Sequence, residues 1–140
     1  MGTDKIFADT NLFLRYLTDD IPEQAEAFGR MLGNAVGGDF SFVTNALVIA
    51  EIVWTLESYY GLSKGDIQAK VLAILNTPGL EVVDHELILQ AMLWYSEKNV
   101  DFIDAYNAAW MLDKSIGTVC SFDRKHFARF EGLTTKVPGE

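Results

Sequence analysis

Short apolar runs that suit strands alternate with helical stretches along the whole chain, and this alternation limits the fold more than any other feature. The run 5–8 reads as a short buried strand, followed by a helix over Asn11–Leu17 that ends before Thr18-Asp19-Asp20. Asp20 and Pro22 pair a cap with an early proline and open a helix to about Val36, where Gly37-Gly38 stops it. Phe40–Val43 is a second strand, after which Thr44 or Asn45 caps a helix that runs through Tyr60 and ends at Gly61. Ser63 caps the next helix, to about Leu75, and a strand over Leu80–Val83 follows the Thr77-Pro78-Gly79 turn. Asp84 caps a helix to about Lys98, and Asp101 opens another to about Ser115. A strand over Thr118–Cys120, a helical turn over Arg124–Phe130 and a last strand over Leu133–Val137 complete the order. Strands joined through helices need right-handed crossovers, so the expected fold is α/β with a mostly parallel sheet covered on both faces. In such sheets ligands gather beyond the carboxyl ends of the strands.

At 140 residues, 49% hydrophobic and 12% aromatic, the chain fits one globular domain, 1–140, able to bury roughly 70% of its unfolded surface. No repeat or Pro/Gly/Ser-rich linker divides it. No apolar run approaches the roughly 18 residues of a membrane span, and the start lacks the basic-then-apolar pattern of a secretory signal. The expected location is the cytoplasm, with no membrane partner. Cys120 is the one cysteine, which excludes an intrachain disulfide and a thiolate zinc cluster; beside Val119 it reads as a buried thiol.

Eleven Lys and Arg against 20 Asp and Glu give a net charge of −9, the wrong sign for gripping nucleic acid through a broad basic face. The objection weakens if some acids converge on divalent cations, which neutralise them locally. One modest basic cluster, Arg124, Lys125, His126 and Arg129, reads by itself as a solvated helix face.

Four carboxylates resist an ordinary explanation. Asp9 follows directly on the first strand, where it either caps the next helix or holds a cation. Glu51 is the one polar residue in Ala46–Trp54, a stretch apolar nearly all round and so expected to be largely buried; a Glu there must be neutral, paired or bound to metal. Asp101 and Asp104 lie three apart at a helix start, which suits a cap at Asp101. Ala105, Ala108 and Ala109 let that helix pack closely and leave Asp104 facing inward as a candidate ligand. Asp123 follows the Thr118–Cys120 strand as Asp9 follows the first, and is either the cap of the Arg124 turn or a ligand. If both strands are central and parallel, Asp9 and Asp123 point into one cleft that Glu51 and Asp104 enter from helices. Oxygen ligands alone suit Mg²⁺ or Mn²⁺.

Other chemistries lack their parts. The chain has no G-x-x-x-x-G-K-[ST] phosphate loop and no G-x-S-x-G elbow. His85 and His126 are too far apart to suggest a zinc pair, and His85 reads as a surface residue. Gly29 and Gly33 read as points of close helix packing.

The order Asp9-Thr10-Asn11, the apolar helix with Glu51, Asp104-Ala105 and Ser121-Phe122-Asp123 resembles the PIN domain, specifically the VapC-type ribonuclease toxins. The likeness covers nearly the whole chain and includes 9–24 as the opening and Ala50–Leu56 as the second motif. It implies an α/β/α sandwich whose acidic quartet, Asp9, Glu51, Asp104 and Asp123, binds Mg²⁺ or Mn²⁺ and hydrolyses RNA to a 5′ phosphate and a 3′ hydroxyl. Thr10, Asn11 and Ser121 would support that pocket, Asn11 by ordering the loop, and Arg124, Lys125 and Arg129 would guide the RNA backbone. Asp101 is an acid additional to the family pattern. The resemblance, together with the apolar helix faces 46–56 and 87–94, also implies a homodimer with a groove for the helix of an antitoxin protein.

Two other readings remain open. One is another PIN-type nuclease or a metal-dependent phosphohydrolase; a haloacid-dehalogenase pattern would need an Asp where Asn11 stands. The other is a PIN-like binding module without catalysis, which predicts a missing acid where all four are present.

Overall fold

The computed structural model describes residues 4–38 and 40–140. They form two compact units, the first up to His85 and the second from Glu86. All strand pairings are parallel, as the helix-separated strands require, in keeping with an α/β/α architecture.

The first unit runs β1 (Asp4–Phe7), α1 (Thr10–Thr18), α2 (Pro22–Val36), β2 (Phe40–Thr44), α3 (Ala46–Ser58), α4 (Lys64–Leu75) and β3 (Leu80–Val82). Its sheet has the order β1-β2-β3, with Asp4 opposite Phe40 and Phe42 opposite Leu80. Side chains set the helix starts. Asn45 accepts a hydrogen bond from the Val48 amide and Ser63 one from the Asp66 amide, each satisfying a donor that the first turn leaves open.

Aromatic edges hold this unit together. The Phe28 ring of α2 meets Phe13 of α1 at 5.5 Å and Phe42 of β2 at 5.4 Å, both edge to face, which favours the ring quadrupoles as well as burial. These contacts cover the central strand. They leave β1 exposed along its four residues, Ile6 and Phe7 included, so the expectation of a buried first strand is corrected: apolar composition says what a strand can bury, and here the covering helix sits over its neighbour. Gly29 does permit close approach, since a Cβ there would stand 3.4 Å from the Tyr16 ring, whereas Gly33 faces nothing within 4 Å.

Asp20 does not cap α2, whose cap position is Ile21. It accepts instead from the Tyr60 hydroxyl at 2.6 Å and pairs with Arg15 at 3.2 Å. The bond from Tyr60 holds its carboxyl below the usual carboxylate range.

The second unit contains most of α5 (His85–Glu97), then α6 (Phe102–Asp113), β4 (Thr118–Cys120), α7 (Arg124–Ala128) and β5 (Thr134–Lys136), with β4 and β5 paired in parallel. Ala105, Ala108 and Ala109 are buried on α6, and Phe130 packs on Trp94 at 5.0 Å. Thr118 and Cys120 share the exposed face of β4, with Val119 half-buried on the other. Cys120 is therefore exposed, against the expected buried thiol: in a strand of period two it falls on the opposite face from Val119, the residue that suggested burial. His85 is half-buried, with its Nε2 3.2 Å from the Leu75 carbonyl oxygen. Among the described residues, no helix is long and apolar enough to cross a membrane.

Candidate functional site

The acidic residues fall into two sets, one on each unit. In the first, β1 is followed by Ala8, whose amide donates to the Val43 carbonyl at 2.9 Å and whose carbonyl accepts from the buried Thr44 hydroxyl at 3.0 Å. The turn that carries Asp9 is thus fixed from beneath. Asp9 occupies the cap position of α1 in extended conformation, yet its side chain makes no capping hydrogen bond and is exposed. The capping explanation for this carboxylate fails on geometry.

Thr10 is buried and donates its hydroxyl proton to Glu51 of α3. Glu51 itself is exposed, which corrects the expectation of burial. The helix buries one face through Val48, Ile49, Ile52, Val53 and Leu56, and Glu51 lies on the reverse face with Leu47 and Trp54. An all-apolar sequence could not say which face stays uncovered. Asn11 is exposed and lines a cavity of about 320 Å³ with Leu12, Arg15, Gln24, Phe28 and Met31.

In the second unit Asp101 holds the cap position of α6 without a capping bond, contrary to expectation. Asp104, one turn into the helix, is half-buried, and burial pushes its carboxyl above the usual range; His126 opposes the rise, while Asp101 and Asp123 add to it. Asp123 does cap, accepting from the Lys125 amide at 2.8 Å and the His126 amide at 3.3 Å. Those amides, Lys125 first, hold its carboxyl below the usual range. Ser121 shapes the same turn, its hydroxyl accepting from the Asp123 amide at 3.0 Å.

Sequence reasoning left His126 in the basic cluster, but it links two of the acids. Its Nε2 lies 3.2 Å from Asp123 and its Nδ1 3.7 Å from Asp104. The signal was present, because a residue three positions after Asp123 in a helical turn lies on the same side as the cap. With Asp101, Asp104, Asn99, Lys125 and Arg129, His126 lines a cavity of about 200 Å³.

The three cations expected to guide a substrate differ. Arg124 pairs with Glu140. Arg129 donates to the carbonyls of Lys98 at 3.2 Å and Asn99 at 2.9 Å, which pins the loop leading into α6. Lys125 belongs to the cavity wall beside Asp104 and Asp101.

Among the described residues, no three of the His, Cys, Asp and Glu side chains stand close enough to hold one metal ion. The donor chemistry of each set nevertheless fits a hard divalent cation. Asp9 and Glu51 offer exposed carboxylate oxygens, and Asp104 is a carboxyl that burial and two neighbouring acids hold back from ionisation, a cost that a bound cation removes.

No curated protein matches the chain. A model of the PIN domain family matches residues 6–133, nearly the whole sequence. The chain belongs to the PIN domain family, a nuclease-type family whose members generally use divalent metals.

Proposed function

We propose that this protein is an endoribonuclease, the toxin of a toxin–antitoxin pair acting in the cytoplasm. In this reading 1–140 works as one domain, and Asp9, Glu51, Asp104 and Asp123 together bind Mg²⁺ or Mn²⁺. The observation that carries the reading is Asp9: a carboxylate in cap position that does no capping, on a turn fixed by the Thr44–Ala8 and Ala8–Val43 hydrogen bonds. Such a residue has a fixed position and no structural employment.

The chemistry a bound cation supplies is activation of a water and neutralisation of the leaving oxygen. The chain's own residues prepare for it. Thr10 orients Glu51 through its hydroxyl. Ser121 and the two amides of α7 fix Asp123 as an ionised oxygen donor. Asp104, raised by burial, accepts a proton more readily than an exposed aspartate, and Lys125 supplies an ammonium at the cavity wall for a backbone phosphate. The exposed apolar residues of α3 support a homodimer and an antitoxin that covers apolar surface.

The test is cleavage of an RNA panel by protein freed of any bound partner. Products with 5′ phosphate and 3′ hydroxyl ends, formed with Mg²⁺ or Mn²⁺ and abolished by EDTA, support the reading. Cyclic phosphate ends, or cleavage that persists in chelator, defeat it. A single melting transition for the whole chain supports the one-domain reading.

A further inference from the structure

Helices α1 and α3 are tied to each other at two points. At one, Thr10, the first residue of α1, donates its hydroxyl proton to Glu51 of α3. At the other, Tyr60, just past the end of α3, donates its hydroxyl proton to Asp20, just past the end of α1, at 2.6 Å. We propose that the Tyr60–Asp20 pair is a positioning device for Glu51: it sets where α3 stands along α1 and so holds that carboxylate against Thr10. The inference rests on the nuclease reading and deepens it, giving two residues outside the acidic set a part in the site that acts through Glu51.

Each member of the pair is stiffly joined to its own helix. Asp19 turns left-handed at φ 55° and its amide donates to the Arg15 carbonyl at 2.8 Å, so Asp20 leaves α1 in a fixed direction. Arg15, in the last turn of α1, holds the Asp20 carboxylate at 3.2 Å while its Nε donates to Gln24 of α2 at 3.2 Å. On the other side the Tyr60 amide donates to the Thr55 carbonyl at 3.2 Å and the Leu62 amide to the Leu56 carbonyl at 3.0 Å, with Gly61 at φ 66° supplying the left-handed residue that lets the helix close. Thr55 lies one turn of α3 beyond Glu51, so a shift at Tyr60 is carried to Glu51 by continuous helix.

One tie alone leaves a pivot. The two fall in the same order along both segments, Thr10 then Asp20 and Glu51 then Tyr60, with closely similar spacing, so together they fix slide as well as rotation. Their contribution to stability is small, because the Arg15 and Asp20 side chains are 29% and 36% exposed and solvent screens their attraction. Their effect on geometry is larger, since a misplacement of about 1 Å at a reacting group costs about 100-fold in rate. The tie also keeps its protons near neutral pH: the Tyr60 bond holds the Asp20 carboxyl below its usual range, and the Asp20 bond holds the Tyr60 phenol above its own. Of Arg15, Asp20, Gln24 and Tyr60, only Tyr60 comes from outside α1, α2 and the turn between them, so Tyr60→Phe cuts the link to α3 and leaves the other bonds in place.

The experiment compares the full chain as wild type, Tyr60→Phe, Thr10→Val and the double variant, by metal-free thermal melting and by kcat and KM for RNA cleavage. Tyr60→Phe should lower kcat about tenfold and leave KM within about twofold, because it moves a carboxylate and no substrate contact. Changes at two sites that share no partner ordinarily add. Here Thr10→Val should lower the melting temperature of the wild type at least about twice as much as that of Tyr60→Phe, and the double variant should turn over within about twofold of the slower single variant. Asp20→Asn keeps an acceptor for the Tyr60 hydroxyl and should retain more turnover than Asp20→Ala. Tyr59→Phe, a change of the same chemistry on a ring 80% exposed, should match the wild type in every measurement. Melting shifts that simply add, a double variant whose losses multiply to about 100-fold, or a Tyr60→Phe protein with wild-type kcat overturns the inference. A Tyr60→Phe protein with raised KM and intact kcat also overturns it, since Tyr60 would then bind substrate. Coupled melting shifts in a protein that cleaves no RNA support the positioning of Glu51 and sink the nuclease reading alone.

Discussion

The Thr10 hydroxyl donates a hydrogen bond to the Glu51 carboxylate, joining the first turn of α1 to the middle of α3 across 41 residues of sequence. Glu51 is exposed and its long side chain has several rotamers in water, so the bond from a buried hydroxyl selects one of them. Thr10→Val keeps the shape and removes the donor. It should cost about 1 kcal/mol of stability and reduce nuclease activity about tenfold, whereas Thr10→Ser should retain most of both. Thermal melting and initial cleavage rates compare the three proteins.

Asp9 and Asp123 should separate cleanly. Asp9 makes no cap bond, so Asp9→Asn should change stability by no more than about 0.5 kcal/mol while lowering cleavage about 100-fold or more. Asp123 accepts from two α7 amides, so Asp123→Ala should lower the melting temperature as well as the activity, and Asp123→Asn should restore much of the stability without the activity. An Asp9→Asn enzyme with normal turnover would remove Asp9 from the site.

Asp104 sets a pH dependence whose sign follows from its raised pKa. The folded protein prefers the protonated carboxyl more than the unfolded chain does, so its contribution favours folding at low pH. That contribution is lost as pH rises from the ordinary aspartate value of 3.8 through the higher folded value. Asp104→Asn should therefore melt above the wild type at pH 7 without metal, and the gap should close near pH 3. Added Mn²⁺ should stabilise the wild type more than the variant. A variant that melts below the wild type at pH 7 contradicts the desolvated carboxyl.

Arg129 should act through the loop it holds. Arg129→Met removes both bonds to the Lys98 and Asn99 carbonyls and should cost about 1 kcal/mol, with faster amide exchange across 98–101. Its effect on substrate affinity should be smaller than that of Lys125→Met, because Lys125 belongs to the cavity wall without this duty. Equal losses of affinity would place Arg129 on the substrate.

Much of the fold was legible because local chemistry decides it. Ser63 and Asn45 cap the helices their positions suggested, and the Thr118–Cys120 strand has the bounds its residues predict. What local pattern could not decide was which carboxylate uses its cap position. Asp9, Asp101 and Asp123 all precede helices, yet only Asp123 turns its oxygens onto the following amides, a rotamer choice set by the Ser121 turn behind it. Exposure of Glu51 was hidden for a different reason: Leu47 and Trp54 are apolar, and apolarity does not reveal that a face is left without cover. His126 was obscured by its basic neighbours, although its place beside Asp123 follows from one turn of helix; its approach to Asp104 is a tertiary contact that no local pattern shows.

The parallel pairing of β1 with β2 also governs when activity can arise during synthesis. Ala8 is held by Val43 and Thr44, partners about 36 positions downstream that lie beyond two complete helices. A nascent chain that has emerged only through α2 has made Asp9 but has nothing to hold it, and closing so long a loop is slow compared with forming a helix. The turn that carries Asp9 therefore sets only after translation has passed residue 44, and a ribosome-bound fragment ending before that point carries the aspartate without the geometry that fixes it.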